Sequence, residues 1–183
     1  ATAYDRTTAG SWCGRKAAFR KAMEIAHSAG RKVALTLSDT FCVDRYREEF
    51  LDLAENSVDI LFANDAEICS LYQTNDFDAA LQNLRGRCEI AALTRSELGS
   101  VVVTGEEVHV IDPEWVPGLE DATGAGDLYA SGFLFGLTHG YSVATCGRLG
   151  SIAAAEIISH IGARPQTPLR GLVAEALADA VKE

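Results

Sequence analysis

Several absences narrow the reading before any motif is considered. The chain has no basic stripe: 16 Lys+Arg stand against 26 Asp+Glu, and the net charge is −10. Nucleic-acid binding depends on cations that neutralise phosphates, so that partner class is disfavoured. A small phosphorylated ligand is not excluded, because it needs only a few local donors. No two of the five cysteines form a Cys-x-x-Cys pair, and several lie inside apolar runs. An odd set of this kind reads as reduced, mostly buried thiols of a cytosolic protein rather than a disulfide framework. No apolar run reaches the length of a membrane span, and no signal-peptide pattern opens the sequence. His27, His109, His139 and His160 are scattered without metal-ligand spacing, and no Ser-His-Asp set stands out. Glu48, Glu49 and Asp52 read most simply as a solvated helix face. Internal repeats and low-complexity segments are also lacking. Position 1 is not methionine, and Ala1-Thr2-Ala3-Tyr4-Asp5 looks like a strand end entering a loop. The expectation is a piece of a longer chain.

What is present suits one globular domain with a full core: 183 residues, 48% hydrophobic and 23% charged. Helical spacing of Ala18, Phe19, Ala22, Ile25 and Ala26 predicts a first helix over Gly14 to Ala29, stopped at Gly30. Val33 to Leu37 reads as a buried strand, Asp44 to Ala54 as a helix, and Val58 to Ala63 as a second strand. Strand, helix, strand at this spacing predicts a parallel βαβ unit. Short helices are expected from Asp65 to Tyr72 and from Asp76 to Leu84, then a strand from Ile90 to Thr94. Ser100 to Thr104 and Val108 to Ile111, joined by a turn at Gly105-Glu106, predict a hairpin. Trp115 to Glu120 reads as a loop. Helices are expected at about 125–138, 142–161 and 169–182, the middle one apolar nearly all round and therefore deeply buried. The whole reads as an α/β sandwich with a mainly parallel sheet and an antiparallel hairpin at one side.

In such sheets ligands bind at the carboxyl ends of the strands. The candidate polar groups fall there. Ser38 and Asp39 follow the first strand, Asn64 and Glu67 the second, and Thr94, Arg95 and Ser96 the third. The most informative stretch is Asp121-Ala122-Thr123-Gly124-Ala125-Gly126-Asp127, set directly before a helix-length apolar run. Glycines let backbone N–H groups approach a ligand, and a helix N-terminus offers unpaired donors with a partial positive charge. Together these favour an anion, most often phosphate. An aspartate beside a phosphate site needs a reason, and accepting a proton from an attacking hydroxyl supplies one. The plainer reading is a helix start with Asp121 as cap.

Asn64-x-x-Glu67 carries two readings as well. It matches a capping box with Asn in the Ser/Thr place. It also suits a carboxylate holding Mg²⁺ through water. Thr94-Arg95-Ser96-Glu97-Leu98-Gly99 is either a polar turn or a phosphate-holding loop acting through the Thr94 hydroxyl and the Arg95 guanidinium.

The 121–127 motif, the Asn64-x-x-Glu67 pair before it and the Thr94 turn between them resemble the ribokinase-like kinases of the phosphofructokinase-B type. Val58 to Glu67, Cys146 to Ile158, and Gly162-Ala163 look like the adenosine-kinase branch. The resemblance runs from about Tyr4 to Pro168. It implies a ribokinase-like three-layer α/β/α sandwich, of which residues 1–183 are the C-terminal nucleotide-binding part, with the N-terminal half and the lid absent. It further implies ATP and Mg²⁺ as cofactors, a sugar or nucleoside as substrate, and a cytoplasmic setting, and it leaves a homodimer of the full-length parent possible. On the matching positions, Asp127 is the catalytic base, and Gly124, Ala125 and Gly126 form the anion hole. Asn64 and Glu67 organise the metal. Asn64, Thr94, Arg95, Ser96, Gly99 and Thr123 face the nucleotide phosphates. Adenine is expected between the Val110–Val116 loop and the helix around Ala154 to Ile158. One departure stands out: Ser96 occupies a turn position where the family usually has glycine.

Readings from other classes stay open at this point. A nucleotide-binding fragment without its own activity is one. A dinucleotide-dependent dehydrogenase is disfavoured, because no strand and acidic residue follow the glycines at the required spacing. A ligand-free interaction domain must treat three polar clusters at strand ends as coincidence.

Overall fold

The computed structural model describes residues 9–180 apart from Glu106, with side chains described from residue 17 to residue 178. The expected strand end at Ala1–Asp5, and Glu106 of the hairpin turn, lie outside the described residues. Eight helices and five strands follow one another within them: α1 (Ala9–Ser28), β1 (Ala34–Thr36), α2 (Thr40–Arg45), α3 (Arg47–Asn56), β2 (Ile60–Asn64), α4 (Asp65–Tyr72), α5 (Phe77–Leu84), β3 (Ile90–Thr94), β4 (Ser100–Thr104), β5 (Glu107–Ile111), α6 (Ala125–Thr138), α7 (Val143–Ile158) and α8 (Leu169–Ala180). A single 3₁₀ turn, Ser96–Leu98, separates β3 from β4.

The strands lie side by side in chain order, β1-β2-β3-β4-β5. The first three are parallel, and β4 and β5 form an antiparallel hairpin against β3. Side chains alternate across the sheet, and each face buries its own cluster. Leu61, Ala63, Ala91, Leu93, Val101 and Val103 face Ile68, Leu71, Leu81 and Leu84 of α4 and α5, together with Met23, Val43 and Ala54. Ile60, Phe62, Ile90, Ala92, Val102 and Ile111 face Tyr129, Phe133 and Cys146 of α6 and α7. The predicted three-layer α/β/α sandwich is therefore present. β2, β3 and β4 are buried on both faces, which is why they read as continuous apolar runs rather than alternating ones.

On the second face Phe133 meets Phe62 edge-on, with ring centroids 5.5 Å apart and an 82° interplanar angle. Such a pair contributes about 0.5–1.5 kcal/mol beyond its area. α6 and α7 approach closely because glycines face backbone: a Cβ on Gly132 would sit 2.4 Å from the Leu149 carbonyl oxygen, and one on Gly150 2.8 Å from that of Tyr129.

Three boundaries differ from the sequence expectation. The single helix expected from Asp44 to Ala54 is two helices, α2 and α3, broken at Tyr46 (φ −129°, ψ 34°). Asp39 starts α2 early by accepting the Cys42 N–H at 2.7 Å. α7 stops at Ile158 rather than 161, and only one side of it is fully buried, with Arg148 exposed. α1 begins at Ala9, earlier than the apolar spacing indicates. No helix among the described residues is long and apolar enough to cross a membrane.

Candidate active site

Strand register assembles the site. Asn64 pairs with Thr94 between β2 and β3, Thr94 with Ser100 between β3 and β4, and Ser100 with Ile111 between β4 and β5. These residues form a row along the carboxyl ends of the parallel strands. Asn64 and Thr94, 30 positions apart in sequence, are thus lateral neighbours.

At one end of the row stands the Asn64–Glu67 pair. Asn64 is the N-cap of α4, and its Oδ1 accepts the Glu67 N–H at 2.8 Å. Glu67 Oε2 accepts the Asn64 N–H, and Oε1 accepts Asn64 Nδ2, both at 2.9 Å. The capping box is therefore real, and such a cap is worth about 1 kcal/mol. It does not exhaust the carboxylate, which retains lone pairs. Glu67 is only 6% exposed. Burial raises its pKa above the usual carboxylate value; the Asn64 N–H opposes this, while the charges of Asp39 and Asp65 add to it. A buried carboxylate pressed by two aspartates is short of positive charge, and a hydrated divalent cation would supply it. No cluster of three or more His, Cys, Asp or Glu able to hold a metal occurs among the described residues. One buried carboxylate with spare lone pairs, beside the Asn64 amide, is a donor set that a hydrated Mg²⁺ would suit, since that ion takes only one or two carboxylates directly.

The Thr94–Gly99 connection is tightly built. The Arg95 N–H donates to the Gly99 carbonyl at 2.8 Å, and the Gly99 N–H to the Ser96 carbonyl at 3.1 Å. Gly99 has φ +77°, and a Cβ there would lie 2.1 Å from the Ile111 carbonyl oxygen. Ser96 has φ +50°. The family's glycine position is therefore left-handed here with a serine in it, at a cost of about 1 kcal/mol. Arg95 lies over the Phe77 ring, 4.1 Å from its centroid, with Nε buried and lacking a hydrogen-bond partner among the described residues.

The 121–127 motif leads directly into α6. Gly124 caps the helix with φ +87°. The Ala125 N–H closes a turn on the Ala122 carbonyl at 3.2 Å, so this expected anion-hole donor is already engaged. The Gly126 N–H has no partner among the described residues, and the first α-helical bond runs from Leu128 to Gly124. Asp127 is exposed, and its carboxylate makes no hydrogen bond with any described residue. Asp121 behaves differently. It accepts the Thr123 N–H at 2.9 Å and the Gly162 N–H at 3.0 Å. Hydrogen bonds from the Thr123 side chain, then the Gly162 and Thr123 N–H groups, pull its pKa down to about 2. Its role is to clasp the loop before α6 to the loop after α7. The two aspartates of one motif thus divide into a fastened one and a free one.

The segment after α7 is fixed by a second carboxylate that the sequence did not flag. Glu156, 8% exposed, accepts the Gln166 N–H at 2.9 Å and the Thr167 N–H at 2.7 Å, with His160 Nε2 at 3.3 Å. Ala154 is partly buried against the second core cluster, and the Ile158 carbonyl accepts the Glu120 N–H at 2.9 Å. Both candidate adenine residues therefore belong to the helix end that adjoins the 121–127 loop.

The fold is that of the ribokinase-like kinases. Adenosine kinase from Sinorhizobium meliloti is 51% identical with a TM-score of 0.84 over 87% of this chain and 49% of that one. A probable sugar kinase from Rhizobium etli is 50% identical, with a TM-score of 0.83 over 85% and 48%. A cytidine kinase from Thermococcus kodakarensis is 31% identical over 73% of this chain and 49% of its own length. The sequence pattern of the pfkB family carbohydrate kinases matches residues 11–170. The chain belongs to that family. Its relatives are sugar and nucleoside kinases, and it spans about half the length of those it matches.

Proposed function

We propose that the full-length protein transfers the γ-phosphoryl group of ATP to the hydroxymethyl group of a sugar or nucleoside, with adenosine or a ribose-type sugar favoured. The observation that carries the reading is an exposed Asp127 carboxylate next to the Gly126 N–H at the start of α6, neither with a hydrogen-bond partner among the described residues. Asp127 orients the acceptor hydroxyl and takes its proton. In a loose transition state the proton leaves late, so positioning dominates. The Gly126 N–H, with those of Gly124 and Asp127 beside it and the Ala125 N–H if its turn bond opens, stabilises charge on the phosphoryl in flight. Thr94, Ser96 and Thr123 hold phosphate oxygens, Gly99 shapes the phosphate-facing turn through its N–H to the Ser96 carbonyl, and Arg95 reaches the phosphates by leaving the Phe77 ring. Glu67 and Asn64 hold Mg²⁺ through water; when bound, the ion neutralises phosphate charge. Adenine lies between the Val110–Val116 loop and Ala154–Ile158. The net charge of −10 supports small-molecule partners over nucleic acid. ATP as donor also supports a cytoplasmic setting.

The test is Asp127→Asn in the full-length protein. Turnover falls roughly 10²-fold or more, within the range for a general base, while ATP binding is retained. Near-normal turnover refutes the assignment. A second reading applies to these 183 residues alone: a nucleotide-binding unit without transfer, favoured because the chain covers only 49% of the matched adenosine kinase. ATP titration set against a phosphorylation assay on the isolated chain separates the two.

A further inference from the structure

We infer that Tyr129 and Ser100 form a positioning pair that fixes the catalytic helix relative to the phosphate loop; the inference rests on the kinase reading above. Two pieces of the proposed site come from distant parts of the chain, the Thr94–Gly99 connection and the start of α6. Most contact between α6 and the sheet is apolar, as in the Phe62–Phe133 pair. Apolar contact is non-directional and tolerates small slides. Among the described residues one directional link crosses it: the Tyr129 hydroxyl donates to Ser100 Oγ at 2.8 Å, and both residues are buried.

Each end of this link sits beside the chemistry. Ser100 follows Gly99 directly and is the strand partner of Thr94. Tyr129 is two residues beyond Asp127 on α6, about 3 Å along the helix axis. The tyrosine is itself confined: its ring stacks on Phe133 with centroids 6.4 Å apart, and Gly150 of α7 leaves no room behind it. A slide or roll of α6 that moves Asp127 must therefore break the bond to Ser100 or drag the end of the Thr94 loop with it. Burial pushes the Tyr129 hydroxyl up to about 12, so it remains a donor across the working pH range. Neither residue touches the reacting atoms, and the pair acts through Asp127 and Thr94.

The experiment uses the full-length protein with Tyr129→Phe, Ser100→Ala and the double variant. Phenylalanine keeps the ring and its packing, and alanine removes only the hydroxyl. Each single variant is expected to lower kcat roughly 5- to 30-fold, because misplacement of reacting groups by a fraction of an ångström is costly. KM for ATP stays within about twofold, and the double variant is no slower than the worse single one, as required of one shared interaction. Thermal melting confirms that each variant is folded at the assay temperature. A kcat within about twofold of the parent in both folded single variants overturns the inference, since a merely structural bond moves only stability. Losses that multiply in the double variant overturn it too. A parent protein with no phosphotransfer to any nucleoside or sugar instead overturns the kinase reading, and the inference falls with it.

Discussion

Gly99→Ala offers a demanding check on the geometry of the Thr94–Gly99 loop. A methyl group at Gly99 would stand 2.1 Å from the Ile111 carbonyl oxygen, 2.8 Å from Pro113 N and 2.9 Å from the Asp112 carbonyl carbon. All three neighbours are backbone, so no rotamer change relieves the contact. The start of the loop after β5 would have to retreat by about 1 Å, against its pairing with Ser100, which overpacked sites resist at about 1–3 kcal/mol. Backbone strain at φ +77° and ψ −129° adds about 1–3 kcal/mol for a residue with a Cβ. The expected loss is about 2–6 kcal/mol, or a melting temperature lower by roughly 10 °C for a domain of this size. Gly86→Ala is the matched control. Its φ is +73°, but nothing lies within 4 Å of the added methyl, so only strain is incurred, about 1 kcal/mol. Thermal melts and urea titrations of the two variants isolate the clash. Equal losses at the two positions refute the close approach of Gly99 to the β5 end.

Ser96→Gly has the opposite sign: relief of its φ of +50° raises stability by about 0.5–1 kcal/mol and the melting temperature by a few degrees, read by calorimetry. Asp121 has a depressed pKa, so its contribution to stability is present above the ordinary value of 3.8 and is lost as pH falls toward about 2. Asp121→Asn accordingly flattens the acid limb of a stability-against-pH curve. Glu67 has a raised pKa, so the native state holds its proton longer than the unfolded chain and stability declines as pH rises above 4.5. Added Mg²⁺ then raises the melting temperature of the full-length protein at neutral pH, and Glu67→Gln abolishes that response, as shown by thermal shift with and without the ion.

Local features were the legible ones. Asp121-Ala122-Thr123-Gly124 before an apolar run announced the start of α6, because glycine and small residues at a helix entry are a local requirement. Asn64-x-x-Glu67 announced its capping box for the same reason. The alternation of strands and helices was enough to place Asn64 and Thr94 side by side at the carboxyl ends of their strands. What escaped was chemistry between distant positions. Nothing in the neighbourhood of Arg95 indicates that its guanidinium rests on Phe77, or that Tyr129 reaches Ser100. Glu156 looked like one polar residue in an apolar helix, yet it holds the backbone of Gln166 and Thr167. The break at Tyr46 was also hidden, since no glycine or proline marks it; there the Arg47 side chain turns to the Leu71 carbonyl at 2.8 Å.

The order of the strands has a consequence for how the molecule acquires its shape. Each strand lies beside the one made just before it. Among the described strands none must wait for a partner made later: the parallel pairings close over helical crossovers and the antiparallel ones over short turns, which keeps the entropic barrier low. During synthesis each described strand can therefore add to the one before it, hairpin last, before α6 emerges. The α6 helix then docks on the strands already paired, and its final placement is a docking step separable in time from the building of the sheet.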